Sequence, residues 1–282
     1  MISYTEGGTG PGAINGVTTQ NTTEYLLASG TGSIAYVTNS VAVGGNSSAG
    51  STGSSFGDAS AYGYNAQAIA DYSTALGANT YAVYLATAVG QSAKANEQYT
   101  VAVGALSSAG STSGTSGNAS AFGYNAQATG DYSTALGANS SATTNAIAIG
   151  YDAKAAAPYT IALGNSSSAS ATYAIAVGYG ATSTGVNSVA LGSSSVDNGD
   201  PNVVSVGSSS QTRRIIYVSD GIATTDAATV GQLDAISTVA NNALATANTA
   251  VATANFALNI ALCNQKKLNQ IENFLLTLGY KC

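Results

Sequence analysis

A four-residue phrase, apolar–Ala–apolar–Gly, recurs through this chain. It reads Val41-Ala42-Val43-Gly44, Val101-Ala102-Val103-Gly104, Ile147-Ala148-Ile149-Gly150, Ile161-Ala162-Leu163-Gly164, Ile175-Ala176-Val177-Gly178 and Val189-Ala190-Leu191-Gly192. Looser copies bring the closing glycines to 44, 63, 77, 90, 104, 123, 137, 150, 164, 178, 192 and 207. The steps between them are 19, 14, 13, 14, then 19, 14, 13, 14, then 14, 14 and 15. A period this short cannot enclose a globular core, so each unit must bury its apolar face against its neighbours, as a solenoid does. Within the phrase, a period of 2 sends the two large residues to one side of a strand and Ala to the other, where a neighbouring layer approaches closely. Gly ends the strand at a tight corner. Thirteen or fourteen residues suffice for two short strands and two corners, so the sequence predicts a parallel β-roll. Twelve coils at about 4.8 Å each make a rod roughly 60 Å long.

Composition narrows the chemistry. Only 7% of residues are charged, His and Trp are absent, and 33 residues are Gly. No acid–base pair, activated nucleophile or metal-ligand cluster is legible, so the chain reads as a protein without enzymatic activity, cofactor or metal. The net charge is −6, and Lys94 and Lys154 are the basic residues of the first two hundred. A phosphate-binding surface needs clustered cations, which excludes nucleic acid as a partner. With an apolar fraction of 45% and a regular period, the chain is not disordered either. No run of 18 apolar residues is present, so no direct membrane insertion is expected.

In chain order, residues 1–40 read as an adaptor or flexible segment. It is Gly-rich at Gly7-Gly8-Thr9-Gly10-Pro11-Gly12 and has two β-like runs at 23–27 and 33–37. Head repeats occupy 41–207. Within them, residues 46–104 and 106–164 are near copies offset by 60: Gly63-Tyr64-Asn65-Ala66-Gln67-Ala68 returns as Gly123-Tyr124-Asn125-Ala126-Gln127-Ala128. The two 19-residue steps expel extra loops at 51–57 and 111–117, including Phe56. Asp71 and Asp131 stand four coils apart, too far for a catalytic carboxylate pair, and are expected to cap corners.

After Gly207 the pattern changes. Arg213 and Arg214 are expected to satisfy a carboxylate or carbonyl cluster at a junction. Thr225-Asp226 supplies an N-cap for a helix running to about 278. Leu233, Ile236, Ala240, Ala243, Ala247, Ala250, Ala254, Ala257, Ala261, Asn264, Leu268, Ile271, Leu275 and Leu278 alternate at steps of three and four, an a/d seam that predicts a coiled coil. A second frame, Leu244, Ala247, Val251, Ala254, Leu258 and Ala261, marks a stutter. The neck is expected at 208–228 and the stalk at 229–282.

Taken together, the head phrase (Asn187-Ser188-Val189-Ala190-Leu191-Gly192), the segment from Arg213 to Leu233 and the heptads resemble the head, neck and stalk of trimeric autotransporter adhesins of the YadA type. The neck motif matches at Arg213, Ile215, Val218, Gly221, Ala223, Thr225, Asp226, Ala227, Val230, Gln232 and Leu233. The resemblance implies a homotrimer of left-handed parallel β-rolls, a neck that passes each chain to its neighbour, and an adhesive function. In such stalks an Asn at a d position can turn inward and bind a chloride-type anion on the three-fold axis; Asn264 holds that position in the first frame only, and the alternative is a plain register-setting polar residue. Cys282 falls at an a position, where three copies converge and an interchain disulfide is expected in an oxidising setting.

The chain departs from the family in having no secretory leader at Met1-Ile2-Ser3-Tyr4 and no set of membrane-barrel strands. The expectation is therefore a fibre on the outer surface of a cell or virion, anchored by something outside this chain. Its ends point to a viral or phage fibre that carries the module. The expected function is adhesion or receptor binding to a host-surface protein or glycan. The alternative is a structural spacer or assembly fibre that binds no receptor.

Overall fold

In a computed structural model of the chain, residues 18–19, 26–51, 57–111 and 117–280 are described. The chain divides into two compact units, 1–213 and 214–282. The first is a parallel two-sheet solenoid. One sheet stacks twelve two-residue strands, from Thr18–Thr19 to Thr182–Ser183. The other stacks thirteen, nearly all of three residues, from Leu27–Ser29 to Val204–Ser205. Up to Val189–Leu191 successive described strands alternate between the sheets, and every strand pairing within a sheet is parallel, so each coil contributes one strand to each layer until the final Val204–Ser205, which adds to the second sheet alone. The expected β-roll is the observed fold.

Alanine sets how closely the two layers approach. The middle residue of each three-residue strand points inward, and Ala75, Ala88, Ala102, Ala121, Ala135, Ala148, Ala162 and Ala176 align from coil to coil with no exposed surface. The second residue of the two-residue strands does the same, as in Ala82, Ala95, Ala109 and Ala128. The interior is therefore alanine facing alanine, completed by small hydroxyls. Ser47, Ser107 and Ser140 are fully buried, and each donates its Oγ–H to the carbonyl of the closing glycine three residues earlier, at 2.8 Å. This local bond removes the cost of burying a hydroxyl. The valines, isoleucines and leucines that flank alanine in the three-residue strands stand on the outside of the coil, while Val37 at a corner is buried and Leu26 and Val83 pack against the edge of the interior. From sequence, the large strand residues are expected to serve two cores, one within each coil and one toward a trimer axis; the first is corrected, because the space between layers this close is filled by the alanine methyls.

The closing glycines form a stack of their own. Gly137 has φ +134°, and a Cβ there would lie 2.4 Å from the Gly150 carbonyl oxygen one coil on. Both the backbone angle and the approach require glycine. The same geometry is present at Gly30, whose φ is +124°. The solenoid thus begins before residue 41: Leu27-Ala28-Ser29-Gly30 is a copy of the phrase with Ser in its third place, and it pairs with Val41–Val43. Residues 26–40 are coil, not adaptor. The extra residues of the two long steps, Phe56 among them, lie outside the described residues except at their edges, 51, 57, 111 and 117. Asp71 caps a corner as expected, accepting from Gly57 N at 3.0 Å.

In the second unit, residues 214–229 form turns that lead to one helix, α1 (Val230–Thr277). Its N-cap is Thr229, not Thr225. Thr229 Oγ1 accepts from Gln232 N at 3.3 Å and Gln232 Oε1 accepts from Thr229 N at 3.1 Å, a reciprocal capping box. The C-terminus closes with Gly279 at φ +85°, Tyr280 N donating to Leu275 O and Gly279 N to Leu276 O, both at 3.1 Å. These are the two bonds of a Schellman motif. No residue of α1 is buried. A helix of this length with Leu233, Ile236, Leu244, Leu268 and Ile271 all more than half exposed carries an apolar seam with nothing packed on it in the single chain.

Candidate interaction surfaces

The two outer faces of the solenoid differ in chemistry. On the three-residue-strand sheet, the residues flanking each alanine point outward and align in two columns. One runs Ile147, Ile161, Ile175, Val189 and the other Ile149, Leu163, Val177, Leu191. Leu136, Leu163 and Leu191 are 45%, 41% and 47% exposed. Toward the N-terminal side the first column becomes polar at Ser60, Thr74, Thr87, Ser120 and Thr134, while the second stays apolar through Tyr62, Leu76, Val89, Val103, Phe122 and Leu136. A continuous apolar face of this kind marks a contact with another molecule. The opposite sheet presents Lys94, Ser108, Gln127, Ser141, Lys154, Ser168 and Thr182 in register, a polar and nearly neutral surface. Lys154 Nζ pairs with Asp152 Oδ1 at 3.1 Å.

The corners carry tyrosine and asparagine. Tyr159 and Tyr173 stack with ring centroids 5.3 Å apart, and Tyr72 meets Tyr84 edge-on at 6.5 Å. Asn65 Nδ2 donates to Asn79 Oδ1 at 3.0 Å, and Asn125 to Asn139 likewise at 3.0 Å. The four asparagines, with Tyr72, Tyr159 and Tyr173, occupy left-handed backbone positions, which asparagine tolerates.

The C-terminal end of the solenoid is closed by two ionic devices. Asp197, 3% exposed, accepts from Ser183 Oγ at 2.7 Å, Thr184 N at 2.9 Å, Gly185 N at 2.9 Å and Gly199 N at 3.1 Å. Burial alone would raise its carboxyl, but the bonds from Thr184, Ser183, Gly185 and Gly199 outweigh it and lower the pKa to about 2. Arg213 Nη1 donates to Ser195 Oγ at 2.9 Å and to Val206 O at 2.6 Å, and Nη2 donates to Ser193 O. Its guanidinium carbon stands 3.1 Å from where a Gly192 Cβ would be, so it covers the last glycine of the stack. Arg213 thus meets a carbonyl cluster of the kind expected of the arginine pair, whereas Arg214 is exposed. Asp197 was not singled out from sequence, because three of its four partners lie about one coil earlier in the chain.

The remaining neck residues organise the start of α1. Gln232 clamps Gly221 from both sides, accepting from its N–H at 3.0 Å and donating to its carbonyl at 2.9 Å. Asp226 Oδ2 accepts from Ile222 N and Ala223 N, both at 3.0 Å, which lowers its pKa. Thr229 Oγ1 donates to Asp220 Oδ1. Thr225, Leu233 and Asn264 are exposed, and Cys282 lies outside the described residues. Among the described residues no group of three or more His, Cys, Asp or Glu is placed to hold a metal, and no helix is long and apolar enough to cross a membrane.

Comparison with known proteins places this geometry. A family model, the YadA head domain repeat, matches residues 57–80, 84–107, 115–140, 144–167 and 169–195. Among solved structures, the collagen-binding domain of the Yersinia adhesin YadA is similar at 26% identity, covering 66% of this chain and 84% of that one, with a TM-score of 0.40. No curated protein matches the chain. The five matched segments tile the coils whose alanines and glycines are described above, and these coils are similar to YadA head domain repeats.

Proposed function

We propose that the chain is one subunit of a homotrimeric surface fibre that adheres to a host surface through its solenoid. The observation that carries this reading is the division of the solenoid into one apolar and one polar outer face. Half-buried Ile161 and Ile175 and exposed Leu163 and Leu191 lie in unbroken columns that other copies of the chain would cover, leaving the polar sheet and the corners to meet a ligand. The uncovered a/d seam of α1 supports the same stoichiometry, since a lone helix of this composition gains little from propensity alone. In such a stalk Asn264 sits at a d position facing the axis, where three side-chain amides would hold a chloride-type anion. Cys282 lies at an a position further along the same seam.

The fibre presents rigid, repeated and uncharged chemistry on the outer surface of a cell or virion, and host-surface proteins or glycans are its partners. Purified full-length protein is tested for binding to host cells, matrix proteins and immobilised glycans. Binding by the trimer, lost when Ile161→Lys and Leu163→Lys disrupt it, is the expected result. A trimer that binds none of these surfaces refutes adhesion and leaves the spacer reading.

A further inference from the structure

The 60-residue duplication places the same set of side chains twice on one corner of the solenoid. Gln67 Nε2 donates to Asn65 Oδ1 at 3.1 Å, and Asn65 Nδ2 donates to Asn79 Oδ1 at 3.0 Å, tying three amides into a relay across adjacent coils. In the second copy Gln127 donates to Asn125 at 3.0 Å and Asn125 to Asn139 at 3.0 Å. Each relay stands beside a tyrosine: Tyr64 is 60% and Tyr124 56% exposed. The corner ladder gives Tyr64 small neighbours, Gly45 and Ala78, and Tyr124 the equally small Ala105 and Ala138. The Tyr64 ring lies over Gly45, its Cδ2 within 3.5 Å of where a Cβ would stand.

The chemistry of this set is specific. The amides are fixed by one another and by left-handed backbone at Asn65, Asn79, Asn125 and Asn139, so little order is lost on binding. Asn79 keeps two N–H donors and Gln67 keeps its carbonyl acceptor, a donor and an acceptor on the same surface. The relay and its tyrosine carry no charge. A rigid aromatic face beside paired amide donors and acceptors suits a ligand with an apolar C–H face and adjacent hydroxyls. We propose that Tyr64, Asn65, Gln67 and Asn79, and their duplicates Tyr124, Asn125, Gln127 and Asn139, form two equivalent binding sites for a neutral oligosaccharide. Four coils separate them, about 19 Å, so an extended glycan of sufficient length engages both at once. This proposal rests on the adhesive reading above and names the ligand class it uses.

The test compares the full-length protein with Tyr64→Ala/Tyr124→Ala and Tyr64→Phe/Tyr124→Phe on arrays of neutral, sialylated and sulfated oligosaccharides. Melting temperature and oligomer mass are checked first, and all three proteins are expected to agree, since both side chains point outward. The parent and the Phe variant bind neutral oligosaccharides alike, and the Ala variant weakens binding at least about tenfold, the equivalent of ~1.4 kcal/mol. Absence of binding to any neutral oligosaccharide by the parent overturns the proposal, as does undiminished binding by the Ala variant. If the Ala variant does not fold, Asn79→Asp/Asn139→Asp, which removes amide donors without changing size, gives the same readout. Adherence to host cells or matrix proteins without glycan binding overturns this inference alone; loss of all adherence by the intact trimer overturns the adhesive reading as well.

Discussion

Asp197 allows the closure of the solenoid to be tested as a quantity. Its carboxylate lies at 3% exposure among donors from Ser183, Thr184, Gly185 and Gly199, and its pKa falls from 3.8 to about 2. A carboxyl with a folded pKa below its unfolded value favours folding most above pH 3.8, and that contribution drains away as pH falls through the folded value. The depression from 3.8 to about 2 corresponds to between about 2 and 3 kcal/mol at neutral pH, or roughly 60-fold in the opening equilibrium of the last coil. Because solenoid coils open from the ends, the loss is local. Asp197→Asn is therefore expected to cut amide-exchange protection at Thr184, Gly185 and Gly199 by that factor at pH 7, leaving central coils such as Ala102 unchanged. The difference between variant and parent vanishes near pH 2. Carbon-detected NMR of the Asp197 carboxyl provides the direct check. A midpoint near the ordinary 3.8 would refute the argument, because the cradle would then not favour the anion.

The other predictions probe the interior, the glycine stack and the neck. Ala102→Leu forces a large side chain between layers that leave it no exposed surface, so it is expected to cost more than ~3 kcal/mol or to abolish folding, read by chemical denaturation. Gly137→Ala combines φ +134° with a 2.4 Å approach to the Gly150 carbonyl, and should lower stability by ~2 kcal/mol or more; a neutral result in a thermal melt would show that the stack tolerates a Cβ. Gln232→Ala removes both the capping box and the clamp on Gly221, with an expected cost of about 1 kcal/mol localised to the first turn of α1 by hydrogen exchange at Thr229 and Gly221.

The coil pitch, the two layers and the parallel order were legible because the glycine spacing states them directly. What spacing does not state is which side of a strand faces in. In the phrase, the conspicuous residues are Val, Ile and Leu, yet the interior takes Ala and the large residues go outward. Only the thinness of a two-layer coil decides this. The first coil was obscured by a Ser in the third place of Leu27-Ala28-Ser29-Gly30. The helix start was misplaced because Thr225-Asp226 is a good N-cap in isolation, whereas Thr229 and Gln232 satisfy each other. Arg213 was legible as a junction residue from the scarcity of cations. The Asp197 cradle was not, since it is built by stacking coils, and its sole trace in the sequence is a final step of 15 residues. The amide relays had the same difficulty: Asn65 and Asn79 are 14 residues apart in sequence and neighbours in the stack.

The apolar outer columns and the bare seam of α1 make the assembly state the most direct test of the whole account. Sedimentation equilibrium of the full chain, whose single copy weighs 27.6 kDa, is predicted to give three times that mass, about 83 kDa, at micromolar concentration. Ile161→Lys with Leu163→Lys is predicted to lower that mass while the β-sheet signal in circular dichroism persists. A parent protein that sediments at 27.6 kDa with its solenoid folded would contradict the account, because the columns of Ile161, Leu163, Ile175 and Leu191 would then face water with no partner.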